Sequence, residues 1–85
     1  MSDGAATAPE LVEHMFRHEY ARLVARLARE FGFHRTELAE DSVQAALMAA
    51  LLAWRGSGPP DRPSAWLYRV ARNRLLDELR RSAQR

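Results

Sequence analysis

The feature that most constrains this chain is the run of apolar residues at positions 43–54, in which Gln44 is the one polar residue. These twelve residues are too few to cross a bilayer as a helix, which takes about 20. The run therefore predicts a helix that is buried nearly all round inside a folded domain. The whole chain has 85 residues, the length of one small domain, so few other elements are available to bury this helix.

A first helix is predicted before this run. Thr7 is followed three residues later by Glu10, the pattern of a capping box, so the helix should begin near Ala8. Gly32 follows as a natural stop. Residues 1–8 are predicted to be a disordered tail, and residues 9–85 the helical domain. The apolar residues of this helix recur at spacings of three and four, as in an amphipathic helix, and they are Val12, Phe16, Tyr20, Leu23, Val24, Leu27 and Phe31.

Two further helices are predicted on either side of a proline-rich loop. The acids Glu37, Glu40 and Asp41 suit the positive end of the second helix, which should end at the sequence RGSG. Residues 56–64, GSGPPDRPS, cannot be helical through their middle, because proline fixes φ and lacks an N–H. The third helix should run from about Ser64 to Ser82. Its predicted core residues are Leu67, Val70, Ala71, Leu75 and Leu79. The fold prediction is an all-α, compact three-helix bundle.

The second helix carries two stripes of residues when its positions are placed at 100° intervals. One stripe comprises Val43, Leu47, Ala50, Leu51 and Trp54; the other comprises Asp41, Gln44, Met48 and Leu52. One helix in a bundle of three can hardly cover both stripes with its own neighbours. The second stripe is therefore a candidate docking surface for a partner.

Charge is distributed unevenly along the chain. All 13 basic residues are arginine and the net charge is only +2, but residues 55–85 carry eight arginines against three acids. Arg69, Arg72 and Arg80 fall within one narrow sector of the third helix without acids beside them, which favours phosphate binding. The alternative is a solvated face with local pairs, because Asp77 and Arg81, like Arg74 and Glu78, are four residues apart.

The sequence predicts neither a cofactor nor an enzyme. There are no cysteines, which excludes a disulfide framework and a thiolate metal site. His14 and His18 have the spacing that lets two imidazoles share a metal, but no third ligand is evident, so no metal site is predicted. No catalytic motif is present. The N-terminus resembles no signal peptide, and no membrane insertion is expected, so a cytoplasmic location is predicted.

Two segments together resemble region two of bacterial RNA polymerase sigma factors, specifically the extracytoplasmic-function type. They are ELAEDSVQAALMAALLAW and PSAWLYRVARNRLLDELRR, separated by the short loop, and the likeness covers about residues 11–82. The most specific pieces are the Glu40-Asp41-Ser42-Val43-Gln44 pattern and the Trp66-Leu67-x-x-Val70-Ala71-x-Asn73-x-x-x-Asp77-x-x-Arg80-Arg81 pattern.

The resemblance implies two binding surfaces. The helix with Asp41, Gln44, Met48 and Leu52 would dock on the coiled coil of the polymerase beta-prime subunit. The loop at residues 56–63 would capture an unstacked base from the non-template strand of the minus ten promoter element. The candidate DNA-binding residues are Arg62, Ser64, Trp66, Arg69, Arg72, Asn73, Arg80 and Arg81. Among them, Arg69, Arg72, Arg80 and Arg81 are the candidates for phosphate contact, whereas Trp66 and Asn73, with Asp77, would mainly shape the helix and its junction with the loop.

The predicted function is thus a transcription-initiation module whose partners are the RNA polymerase core, single-stranded promoter DNA and, as a further candidate, an anti-sigma factor. Two alternatives stay open. One is a helix-turn-helix that binds duplex DNA, although its turn normally has three or four residues and here about eight separate the helices. The other is a protein-interaction bundle, such as a homodimer through Met48 and Leu52. The resemblance is compatible with one domain of a longer factor and with a free-standing region-two protein.

Overall fold

The computed structural model describes residues 7–84, which form three α-helices. Helix α1 is Ala8–Phe31, α2 is Thr36–Ser57 and α3 is Pro63–Ala83, and a 3-10 turn, Phe33–Arg35, joins α1 to α2. No β-strand occurs among the described residues. The predicted all-α bundle of three helices is confirmed.

Helix α1 begins and ends where the sequence indicates. The Thr7 hydroxyl accepts a hydrogen bond from the Glu10 backbone N–H at 3.3 Å, and the Glu10 carboxylate accepts one from the Thr7 N–H at 3.0 Å, which completes the capping box. At the other end, Gly32 has a φ of 108° and its N–H donates to the carbonyl of Ala28. The helix start predicted near Ala8 is confirmed, with Thr7 as the N-cap. Residues 1–6 of the predicted tail lie outside the described residues.

Helix α2 lies between α1 and α3 and is antiparallel to both. The Trp54 ring contacts the Trp66 ring at one end of the α2–α3 pair, with centroids 5.2 Å apart. At the other end of the pair, Ser42 of α2 and Glu78 of α3 line one cleft. On the α1 side, the Gln44 amide donates to the Tyr20 hydroxyl at 3.1 Å. The three helices therefore run up, down and up, with α2 in the centre.

The core is made by one face from each helix. Its fully buried side chains include Leu27 of α1, Val43 of α2, and Leu67 and Leu75 of α3. Burial of each such aliphatic side chain contributes about 1.5–3 kcal/mol. Alanines provide close approach between the helices, and the buried ones are Ala28, Ala39, Ala46, Ala50 and Ala71. Of the predicted α3 core residues, Val70 and Leu79 are only half-buried.

Two predictions about burial are wrong. Phe16, assigned to the core stripe of α1, has 52% of its surface exposed, and the neighbouring Met15 is buried instead. Helix α2 is not buried nearly all round, because Met48 is 64% exposed and Leu52 is 74% exposed. The physical reason is that α2 has two helical neighbours, so its third side has no helix of the described chain against it.

The loop is shorter than predicted. Gly56 and Ser57 form the last turn of α2, and α3 begins at Pro63, a favoured residue for the first turn of a helix because its missing N–H needs no partner there. Residues 58–62 connect the helices. None of the helices in the described part of the chain combines the length and apolar character needed to cross a membrane.

Candidate functional site

The second stripe of α2 is a surface. Asp41, Gln44, Met48 and Leu52 are all exposed. Beside them, an open groove of about 690 Å³ runs between α1 and α2. Its lining is mainly apolar and comprises Pro9, Val12, Glu13, Phe16, Gln44, Leu47, Met48 and Leu51. We call the exposed stripe together with this groove the α2 face.

The edge of the α2 face is held by contacts to α1. Gln44 donates its amide to Tyr20, and the Tyr20 ring stacks on the exposed Phe16 ring with centroids 5.1 Å apart. Phe16 therefore contributes to the exposed groove and not to the core. These contacts orient the Gln44 side chain without covering it.

A second cleft, of about 350 Å³, lies where the loop meets α3. It is lined by Pro60, Arg62, Ala65, Trp66 and Arg69, and we call it the loop cleft. The edge-on contact between Trp66 and the buried Trp54 holds the Trp66 ring in place, with an interplanar angle of 63°. The cleft thus combines an aromatic side chain with two exposed arginines, Arg62 and Arg69.

Ser64 and Asn73, two other predicted DNA-binding residues, lie outside the lining of the loop cleft. The Ser64 hydroxyl donates to the Glu19 carboxylate at 3.1 Å, so it ties the start of α3 to α1. Asn73 is exposed on α3. Its side chain is therefore not a core amide.

Arg72 belongs to a polar cluster between α1 and α3. Its Nε donates to Glu30 Oε2 at 2.6 Å, and the Tyr68 hydroxyl donates to the other oxygen of the same carboxylate. The hydrogen bonds from Tyr68 and Arg72 lower the pKa of Glu30. Burial, followed by the Glu30 carboxylate, raises the pKa of Tyr68, and the hydrogen bond to Glu30 raises the pKa of Arg72.

The expectation that the arginine sector of α3 lacks nearby acids is wrong. Arg72 has Glu30 beside it, and Arg80 forms an ion pair with Asp77 at 3.6 Å. Arg81 pairs with Glu78 at 3.7 Å. Asp77 therefore pairs with Arg80, whereas the alternative of a solvated face had placed Asp77 with Arg81. The acid of the Arg72 pair comes from α1, which a reading of α3 alone could not include.

The predicted DNA-binding residues do not form one continuous surface. Arg62, Trp66 and Arg69 surround the loop cleft, whereas Arg81 lines a different cleft with Asp41 and Ser42 near the start of α2. The helical rise places Arg69 and Arg81 about 18 Å apart along α3. Arg80 and Arg81 therefore lie near the Asp41 end of the domain, away from the loop.

Three exposed arginines on α1 were not among the predicted binding residues, and they are Arg22, Arg26 and Arg29. They line a cleft of about 250 Å³ together with Glu19, Leu23 and Ser64. The Arg26 guanidinium lies 3.7 Å from the centroid of the Tyr68 ring on α3. Their spacing of four and three residues places them on one face of a helix, and this was the signal in the sequence. It was not used because residues 1–54 as a whole have a net negative charge.

The two histidines of α1 lie side by side, with His14 and His18 ring centroids 4.4 Å apart. Among residues 7–84, no group of three or more histidine, cysteine, aspartate or glutamate side chains could hold a metal ion.

Comparison with known proteins identifies the family. The model of sigma-70 region 2 matches residues 16–85 of this chain. The chain belongs to the sigma-70 region 2 family. Region 2 is a non-enzymatic domain of transcription initiation factors, and its match spans α2, the loop and α3 as well as most of α1. The extracytoplasmic-function subtype stays a prediction.

A relative of this region 2 chain is an uncharacterized protein of Rhizobium meliloti (strain 1021). The two are 42% identical over 52 residues, which make up 61% of this chain and 12% of the relative. The chain therefore corresponds to a small part of the relative that it matches. No solved structure matches this chain at a significant level.

Proposed function

We propose that this chain is a transcription-initiation domain that binds the RNA polymerase core through its α2 face and holds single-stranded promoter DNA at its loop cleft. The observation that carries the proposal is the exposure of Asp41, Gln44, Met48 and Leu52 as one stripe of the central helix. These are the positions that the likeness to sigma factors assigns to the beta-prime coiled coil.

The chemistry of the α2 face supports a protein partner. Its centre is apolar, with Met48 and Leu52 mostly exposed, and Asp41 and Gln44 lie towards one end of the same stripe. An apolar centre with polar groups at the edge is typical of protein interfaces. The groove beside α2 would accept the ridge of a partner helix, as in helix-in-groove recognition.

The loop cleft supports capture of an unpaired base. Single-stranded nucleic acid is commonly bound by aromatic side chains on which bases stack and by arginines that contact the phosphates. Trp66 supplies the aromatic group, and Arg62 and Arg69 supply the charges. The proposed ligand is the non-template strand of the minus ten element.

The geometry does not favour a helix-turn-helix. The two helices of that motif cross at about 90–120°. Here α2 and α3 lie side by side from the Trp54–Trp66 contact to the cleft shared by Ser42 and Glu78. A second copy of this chain and an anti-sigma factor remain candidate occupants of the α2 face, and sedimentation of the isolated chain as a monomer would argue against the first.

The test is binding to a beta-prime coiled-coil fragment. The double variant Asp41→Arg, Gln44→Ala should weaken binding at least tenfold, because a reversed charge in an interface repels its former partner. The matched control is Asp77→Arg, Gln84→Ala, which makes the same changes at exposed positions in α3 and at its C-cap and should bind like the unmodified chain. Both variants should keep their helical circular dichroism. Undiminished affinity of the α2 variant would contradict the proposed docking face.

A further inference from the structure

We propose that Arg22, Arg26 and Arg29 of α1 bind the phosphates of the single strand as it leaves the loop cleft. This inference rests on the proposed function and adds to it a path for the strand. The path crosses α1 and does not follow α3. The recognised chemistry is a phosphodiester backbone, so these contacts would carry no base preference.

The arginines of α1 are more available to an anion than those of α3. Of the arginines predicted to contact phosphate, Arg72 is bound to Glu30, while Arg80 and Arg81 pair with acids on α3. The α1 arginines are less engaged. Within the described chain neither Arg26 nor Arg29 forms an ion pair, and the Arg22 side chain is 79% exposed with its one pair to Glu19 at a long 3.8 Å.

Two acids lie near the α1 arginines: Glu19, which pairs with Arg22 at 3.8 Å, and Glu30, whose pKa Arg26 helps to lower. Glu19 accepts the hydrogen bond from Ser64, and Glu30 accepts those from Tyr68 and Arg72. The three guanidinium groups in the cleft thus exceed the single Glu19 carboxylate that lines it. The local field therefore favours an anion.

The contact between Arg26 and Tyr68 leaves the donors of Arg26 free. A guanidinium that lies over an aromatic ring is attracted by the face of that ring, so the N–H donors of the guanidinium stay available for phosphate oxygens. The Tyr68 ring is itself held by its hydrogen bond to Glu30. The Tyr68 ring therefore holds the Arg26 guanidinium in a defined position.

The cleft lined by the three α1 arginines adjoins the loop cleft. Ser64 lines the first of these clefts, and the next residue, Ala65, lines the loop cleft, so both clefts border the first turn of α3. From Arg22 to Arg29 the helix rises about 10 Å. A strand with one base in the loop cleft could therefore pass over Ser64 and reach successive α1 arginines.

The experiment measures binding of the chain to a fluorescently labelled single-stranded oligodeoxynucleotide of about 12 nucleotides, over a series of salt concentrations. The test variant is Arg22→Gln, Arg29→Gln. The matched control is Arg17→Gln, Arg74→Gln, which removes the same two charges from exposed positions outside both clefts.

The log–log salt slope for single strands is about −0.7 per phosphate neutralised. The test variant should therefore lose about 1.4 from the magnitude of the slope and bind roughly 25-fold more weakly near 0.1 M salt. The control should retain both values. Equal losses in the two variants, or weaker binding to the polymerase core in place of the oligonucleotide, would overturn the α1 assignment.

The same measurement separates this inference from the proposed function. If the unmodified chain binds the oligonucleotide and the test variant binds equally well, the α1 path is wrong and the loop cleft still stands. If the unmodified chain binds no single strand, the proposed DNA function fails and the α1 path fails with it.

Discussion

Glu30 is the residue through which α1 and α3 make most of their polar contact. Its carboxylate accepts hydrogen bonds from Tyr68 and Arg72, and these donors come from positions 38 and 42 residues further along the chain. The arginines of α3 were predictable as a charged sector, but their pairing was not. A partner on another helix becomes visible only when the helices are placed together.

Glu30→Gln should lower the free energy of unfolding by about 1 kcal/mol at neutral pH, because the variant lacks the charge that strengthens both hydrogen bonds. The pKa of Glu30 is lower in the folded chain than its ordinary value of 4.5, so this stabilisation is present above that value and is lost as the pH falls through the folded pKa. Urea unfolding at neutral and at acidic pH checks it.

The control for this prediction is Glu13→Gln, since Glu13 pairs with Arg17 on the exposed surface of α1 alone. Exposed pairs of this kind contribute little, so this variant should change stability by less than about 0.5 kcal/mol at either pH. A stability difference for Glu30→Gln that stays constant into acid would show that the charge of Glu30 is not responsible.

At the scale of elements, both ends of α1 follow directly from local chemistry. The capping box at Thr7 and the stop at Gly32 both lie where the sequence indicates. Burial of whole faces was less predictable. Phe16 and Met15 are adjacent and both apolar, and the face that α1 turns towards α2 decides which of them enters the core.

Gly32→Ala should destabilise the domain by roughly 1–2 kcal/mol. Gly32 has a φ of 108°, and an added Cβ would lie 2.6 Å from the His34 ring. Gly56→Ala is the matched control, because Gly56 lies within α2 with open space around it and alanine is the better helix former there. That variant should be unchanged or slightly more stable. Thermal unfolding that shows equal effects for both would contradict the assigned role of Gly32.

At the scale of the whole molecule, the charged end of the α2 face and the loop cleft lie at opposite ends of the α2–α3 pair. Asp41 lies near the start of α2, whereas Trp54 lies near its end beside Trp66 and the loop cleft. The helical rise separates Asp41 and Trp54 by about 20 Å. This exceeds the Debye length of about 8–10 Å at physiological ionic strength, so charges at the two sites should act independently.

We therefore expect two kinds of variant with opposite effects. Arg62→Gln, Arg69→Gln should weaken binding to single-stranded DNA about tenfold or more, because each arginine that contacts a phosphate contributes to the salt-dependent affinity, and it should leave binding to the beta-prime fragment unchanged. Asp41→Arg, Gln44→Ala should do the reverse. Anisotropy with a labelled oligonucleotide and pull-down with the fragment measure the two activities. Loss of both activities in either variant would mean that the surfaces are coupled.

The sequence by itself determined the three helices, the cap and the stop of α1, the interruption at Pro59 and Pro60, and the second stripe of α2, because these depend on residues within a few positions of one another. Tertiary structure decided which groups from different helices meet. The pairing of Arg72 with Glu30, and the cleft that Arg22, Arg26 and Arg29 share with Ser64, join α1 to α3 across more than 30 residues. Such contacts form because α1 and α3 pack against opposite sides of α2. No local sequence pattern predicts that arrangement.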